Sequence, residues 1–227
     1  MKQRPLHHVP TGVWLLLLVA LLAQLFWFDR QPQPKYQPLA TPLPASVYAL
    51  TTLGDPILAA RLLDLWLQAH DNQPGISVPF RELDYERLVQ WLNLSLQLDP
   101  HDNYPLLVAS HVYSEVNDPQ RVRIMLDFVA EKTLEQPQTR WRWLAHAAIK
   151  AQHELNDKPL ALKYANTLAE LAGVDVPYWA KDLRILILED MGEKEAAKIL
   201  IGGLLAQGEI SDAAEIRFLE QRLAALD

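Results

Sequence analysis

The sequence predicts an all-α protein, and three observations predict it. From Val47 onward apolar residues recur at helical spacing, and no stretch alternates convincingly like a strand. Aspartates stand just before prolines where helices should begin, at Asp55 before Pro56 and Asp118 before Pro119. Ahead of this body lies one uninterrupted apolar run, residues 13–28.

That run holds no charge and one polar residue, Gln24, and Thr11 and Gly12 extend it. As a helix it spans about 27 Å, close to the ~30 Å of a hydrocarbon core. Trp14 lies near one end and Phe26, Trp27 and Phe28 at the other, where aromatic rings favour the interface. The competing reading is a cleaved signal peptide. Lys2 and Arg4 fit a basic start, but no small-residue cleavage site follows and bulky aromatics do. The expectation is a single-pass anchor in a bacterial inner membrane. Lys2 and Arg4 before the span balance Arg30 and Lys35 after it, and the terminal amine tips the body toward the periplasm.

Residues 29–46 read as a proline-rich linker, with Pro32, Pro34, Pro38, Pro42 and Pro44. Proline fixes φ and removes a donor, so this stretch is expected to be extended and unpaired, reaching on the order of 50 Å. The body, 47–227, is long enough for one cored domain. Helices are expected near 56–70, 84–98, 104–116, 119–135, 140–155, 158–172, 177–190, 193–207 and 211–226, with Asp84, Asp175 and Ser211 as further start residues. Short connections make antiparallel hairpins of neighbours. Trp141, Leu144, Ala145, Ala148 and Ile149 form one apolar stripe, and Trp143, Ala147 and Ala151 a second, so that helix is expected between two neighbours. The last helix, 211–226, carries Ala214, Phe218 and Leu219 on one side and Glu215, Arg217, Glu220, Gln221 and Arg222 on the other, as a polar cap would.

One family pattern is legible. Leu88, Leu92 and Ser95 followed by LQLDP, ending at Pro100, follow the spacing of the second helix of a repeat unit, with larger apolar residues substituted at two places. Leu106, Ala109, Ser110 and Tyr113 are spaced like a first helix, and the next begins at Trp143 with Ala147 in the small position. Unit ends at Pro100, Pro137 and Pro177 give periods of 37 and 40 residues, and 191–196 resembles the turn within a unit. Over roughly 56–207 the chain resembles the tetratricopeptide repeat family. The resemblance implies an α-solenoid of helical hairpins whose first helices line a concave groove. Here that implies Tyr104, His111, Ser114, Glu115, Arg140, Trp141 and Gln152 as protein-binding residues, although for Trp141 the core is the favoured place. Tyrosine, tryptophan and arginine are enriched at binding hot spots.

Composition removes several chemistries. The 227-residue chain contains no cysteine, which excludes disulfides, thiolate zinc, thiol nucleophiles and lipidation on cysteine. A net charge of −7 argues against a nucleic-acid partner. His146 and His153 are two turns apart, and His153 with Glu154 does not complete a zinc-binding HExxH; His7 and His8 precede the span. Glu131 with Glu135 and Glu189 with Glu193 share helix faces, but charged helices solvate such pairs by default. Gly202 and Gly203 lack the lysine of a phosphate loop. No cofactor, metal, small-molecule substrate or catalytic residue is therefore expected.

What remains is a membrane-anchored scaffold, expected to bind another protein in the assembly of a membrane or envelope complex and to contact lipid through 13–28. The alternative is an envelope enzyme, or its accessory subunit, on a helical solenoid. Protein from the membrane fraction should carry an intact mass that includes residues 13–28; a mature chain starting after Phe28 would identify the run as a signal peptide.

Overall fold

Aspartate side chains start three of the body's helices where the sequence predicts, at Asp55, Asp84 and Asp118. In the computed structural model, which describes residues 9–29, 35–171, 173, 175–208 and 210–226, Asp55 accepts from the Leu58 amide at 3.0 Å and opens α3, Pro56–Gln68. Asp84 does the same for α4, Tyr85–Leu98, through Arg87 N at 3.0 Å. Asp118 takes both Gln120 N (3.1 Å) and Arg121 N (3.2 Å) at the head of α6, Pro119–Glu135. Each cap satisfies amides that have no partner within the helix.

The chain begins with α1, Thr11–Asp29, whose residues 11–28 have a mean hydropathy of 2.1 and are 0% buried. It is long and apolar enough to cross a membrane. After it come α2, Ala45–Thr51, then α3 and α4. The helix α5, Tyr104–Val108, runs on into a π-helical turn, Ala109–Tyr113. Beyond α6 stand α7 Pro137–His153, α8 Lys158–Leu171, α9 Tyr178–Lys181, α10 Leu183–Met191, α11 Lys194–Gln207 and α12 Ala213–Leu226. Among the described residues, β structure is limited to a hairpin of β1, Asn72–Gln73, and β2, Ile76–Ser77, turned by Pro74 and Gly75 with φ 80°. The protein is thus all-α. Neighbours in the chain pack together: α3 on α4, α6 on α7, α7 on α8, α8 on α10, α10 on α11 and α11 on α12.

One continuous core runs from Leu39 through Leu88, Leu92, Leu106, Met125, Leu144, Tyr164 and Leu168 to Ile187. A second, smaller one joins Ile185, Ile201 and Leu219 under α12. Each fully buried large side chain contributes roughly 1.5–3 kcal/mol. Helix α7 lies against both α6 and α8, and Ala145, Ala147, Ala148 and Ala151 are all buried. Small side chains let helix backbones approach closely. Ile149, placed by the sequence in the first stripe, is instead 38% exposed.

Several expectations change. The linker is not unpaired: Leu39 is buried, Trp91 Nε1 donates to the Ala40 carbonyl at 2.9 Å, and Gln37 and Gln73 exchange two hydrogen bonds at 2.8 Å. Pro32 and Pro34 lie outside the described residues. Helix α2 begins inside the predicted linker. Asp175 caps no helix, and α12 is opened by Asp212, which accepts from Ala214 N at 2.7 Å, rather than by Ser211. On the expected solvent side of α12, Arg222 pairs with Glu189 at 3.1 Å and Glu215 meets Asp182.

The largest change concerns Arg140, which is only 1% exposed. Its guanidinium donates to the carbonyls of Pro100 (2.7 Å) and Lys132 (2.8 Å) and to Glu135 (3.1 Å). A buried cation is tolerated when its donors are matched in this way, and arginine's fork reaches several acceptors at once. Arg140→Ala leaves two carbonyls and a carboxylate without that partner and should cost roughly 3 kcal/mol in urea unfolding. Arg140→Lys should recover only part of this, because an ammonium cannot span the three acceptors.

Candidate interaction face

The sequence-predicted residues fall on two sides of α7, and only some of them reach solvent. The π turn before it has a local cause. Ser110 Oγ donates back to the Leu106 carbonyl at 2.8 Å and Ser114 Oγ to the Ser110 carbonyl at 2.5 Å. Such bonds compete with the helix ladder and bend it, and a widened turn re-aims the side chains it carries. Ser114 is 1% exposed and serves this turn. The expectation that Ser114 and Arg140 face a ligand is therefore corrected: burial gives both a structural role.

On one side of α7, the His111 and His146 rings stack at 3.7 Å, inclined by 16°. Trp143 stands edge-on to His111 at 5.9 Å and donates through Nε1 to Asn103 Oδ1 at 3.1 Å. Ser110 Oγ lies 2.8 Å from His111 Nδ1. One turn along, Lys150 is 3% exposed yet its ammonium reaches Glu115 and, at 2.9 Å, Glu154. The lysine holds the Glu115 carboxyl below its ordinary range. Burial lowers His146 to about 4, helped by the neighbouring His111 and Lys150 and opposed by Glu154 and Glu115. Its Nδ1 has no hydrogen-bond partner. Tyr104, half-buried, sits near this side, its hydroxyl pKa raised by burial and then by the Asp64 and Asp102 carboxylates.

On the other side, Trp141 is half-buried and meets Trp179 of α9 edge-to-face at 5.8 Å. Trp179 is 54% exposed. Gln152 donates to Asp190 of α10 at 3.1 Å. Between the two sides Arg142 and His153 are open to solvent. The face can stack, hydrogen-bond and pair charges with a ligand. Among the described residues, no group of three or more histidine and carboxylate side chains is placed to hold a metal ion. His7 and His8 lie outside the described residues.

Two features escaped sequence reasoning. The first is a crevice of about 680 Å³ beside α9–α11, lined in part by Tyr178, Lys181, Asp182, Arg184 and Ser211. Burial, and then the adjoining Glu215 carboxyl, push Asp182 up to about 8. The second is the outer side of α3. Leu58, Leu62, Leu65 and Trp66 are each at least 44% exposed, while Ala59, Ala60, Leu63 and Leu67 face the core. With Tyr48, Trp91 and neighbours, Leu62 and Trp66 line an apolar crevice of about 370 Å³. The available signal was that α3 carries large apolar residues on two sides, Leu63 and Leu67 on one and Leu58, Leu62 and Leu65 on the other, which asks for two partners.

No family description, curated protein or solved structure matches the chain.

The His146 shift carries a pH signature. A folded pKa below the unfolded ~6.5 favours the neutral ring, so its contribution is present above pH ~6.5 and is lost as pH falls through about 4. Thermal stability should decline over that window. His146→Asn should decline less steeply, and a variant with the same slope as the parent would assign the effect to other groups.

Proposed function

We propose that this chain is a single-pass membrane protein whose body, a tetratricopeptide-like solenoid of helical hairpins, binds another protein and supports assembly of a membrane or envelope complex. One observation carries the reading. The π turn after α5 and helix α10 both touch α7, Trp179 of α9 meets Trp141 of α7, and along these contacts imidazole, carboxylate, guanidinium and indole groups are exposed: His111, Glu115, Arg142, Trp179. Aromatic and arginine side chains on an open face suit an extended peptide or a helix. The apolar helix at 11–28, long enough to cross a bilayer, supports the anchor, and the balance of flanking basic residues with the terminal amine favours the periplasmic side of a bacterial inner membrane. The crevice with the Asp182–Glu215 pair favours a second reading, an envelope enzyme or accessory subunit, because two adjoining carboxyls, with Asp182 raised by burial and by its neighbour, can share and pass a proton.

The test is crosslinking and recovery of the full chain from solubilised membranes, with and without His111→Ala and Trp179→Ala together. Both side chains are exposed, so stability should change by less than about 1 kcal/mol. Partner recovery should fall at least about fivefold if either is a central contact. Undiminished recovery places the binding surface elsewhere. Loss of recovery on Asp182→Asn instead would favour the second reading.

A further inference from the structure

We infer that the outer surface of α2 and α3 rests on the lipid bilayer that α1 crosses, so that the first two helices of the body are a membrane-seated foot. The inference rests on the reading of α1 as an anchor. Two observations carry it. Leu50, Leu53, Leu58, Leu62, Leu65 and Trp66 are exposed together, Leu53 completely. On α3 the positions 58, 62 and 65 follow the three-and-four spacing of a single helix face. Singly exposed leucines are ordinary, but a continuous apolar patch on a soluble body is not.

The second observation is the tether. Tyr36 packs against the core and edge-on to His70 at 6.0 Å, Gln37 is bonded to Gln73, Leu39 is buried, and the Ala40 carbonyl is held by Trp91. Trp91 in turn contacts Trp66 at 4.7 Å and Tyr48 at 5.8 Å, so the linker enters the body at the apolar patch. Only residues 30–35 separate the end of α1 at Asp29 from this fixed point. Even fully extended, that length reaches about 25 Å. The patch cannot stand far from the bilayer surface.

Charge decides what kind of lipid contact this is. Between residues 45 and 69 the basic side chain is Arg61, already paired with Asp99 at 3.4 Å and with Asp102. No free cationic cluster is present within 45–69 to seek anionic headgroups, so contact of this surface depends on apolar side chains and the Trp66 ring entering the acyl boundary. Zwitterionic lipid suffices.

The absence of cysteine makes the test direct. Full-length protein carrying a nitroxide at Leu62→Cys, or at Leu65→Cys, is reconstituted in phosphatidylcholine nanodiscs. Leu18→Cys in α1 and Gln221→Cys in α12 serve as references. Relaxation by oxygen and by a water-soluble nickel chelate is compared at each site. Position 62 or 65 should resemble position 18, favouring oxygen over nickel, while 221 shows the reverse, and adding anionic lipid should leave the ratios unchanged. A label at 18 in lipid with 62 and 65 both in water overturns the foot and leaves the anchor standing. A label at 18 in water overturns both. Labels at 62 and 65 shielded from both reagents, with spin–spin broadening, assign the patch to a second copy and overturn the foot.

Discussion

Arg140 is the point on which the middle of the body is assembled. A guanidinium removed from water loses hydration worth several kcal/mol and stays charged, so the surrounding backbone must supply acceptors. Here they come from three places: Pro100 after α4, Lys132 in the last turn of α6, and Glu135 just before α7. Gln136, the residue joining α6 to α7, adds its own bond to Pro100 at 2.9 Å. The end of α4 is thereby fastened to the junction of α6 and α7 by polar contacts, while Leu126, Leu144 and Leu168 fill the space between the helices. Apolar burial supplies most of the free energy and is non-directional. The hydrogen bonds of Arg140 fix which turn of α7 lies beside which turn of its neighbours.

That register has consequences at both sides of α7. Residues 143, 146 and 150 fall on one face of the helix and 141 and 152 on the opposite one. With the start of α7 held at Pro137, the first set meets His111 and Glu115 and the second meets Trp179 and Asp190. Lys150 illustrates the economy of the arrangement. Its stem is buried between helices and its ammonium emerges among exposed carboxylates, as long cationic side chains do at the edge of an apolar layer.

Most helices were legible because their signals are local. Apolar spacing and an aspartate ahead of proline act within a few residues, and α3, α4 and α6 begin where those signals stand. The unforeseen features are set by distant parts of the chain. Arg140 carries a charge, which by default means solvent; its burial depends on a carbonyl 40 residues earlier. Leu58, Leu62 and Leu65 have the spacing of a core stripe, and periodicity does not reveal that no neighbour covers them. Arg222 turns inward to pair with Glu189 of α10, and Glu215 meets Asp182 just ahead of that helix. The π turn had a faint local sign in Ser110 and Ser114, four residues apart, whose hydroxyls both return to the backbone.

The same division between local and distant causes bears on how the candidate face meets a ligand. At neutral pH burial and the nearby Lys150 ammonium keep the His146 ring uncharged, so its stack with His111 offers a flat ring surface. The Lys150 charge is already answered by Glu115 and Glu154. A ligand carboxylate seeking that lysine must displace one of them, exchanging one pair for another with little net gain. Arg142 is different, because its guanidinium lies 5.7 Å over the Trp141 ring and remains open to solvent. Ring contact pre-orients the cation without consuming its hydrogen-bond donors. Recognition across this face therefore divides by chemistry: rings at His111 and Trp179 for apolar or aromatic groups, and Arg142 between them for an acceptor.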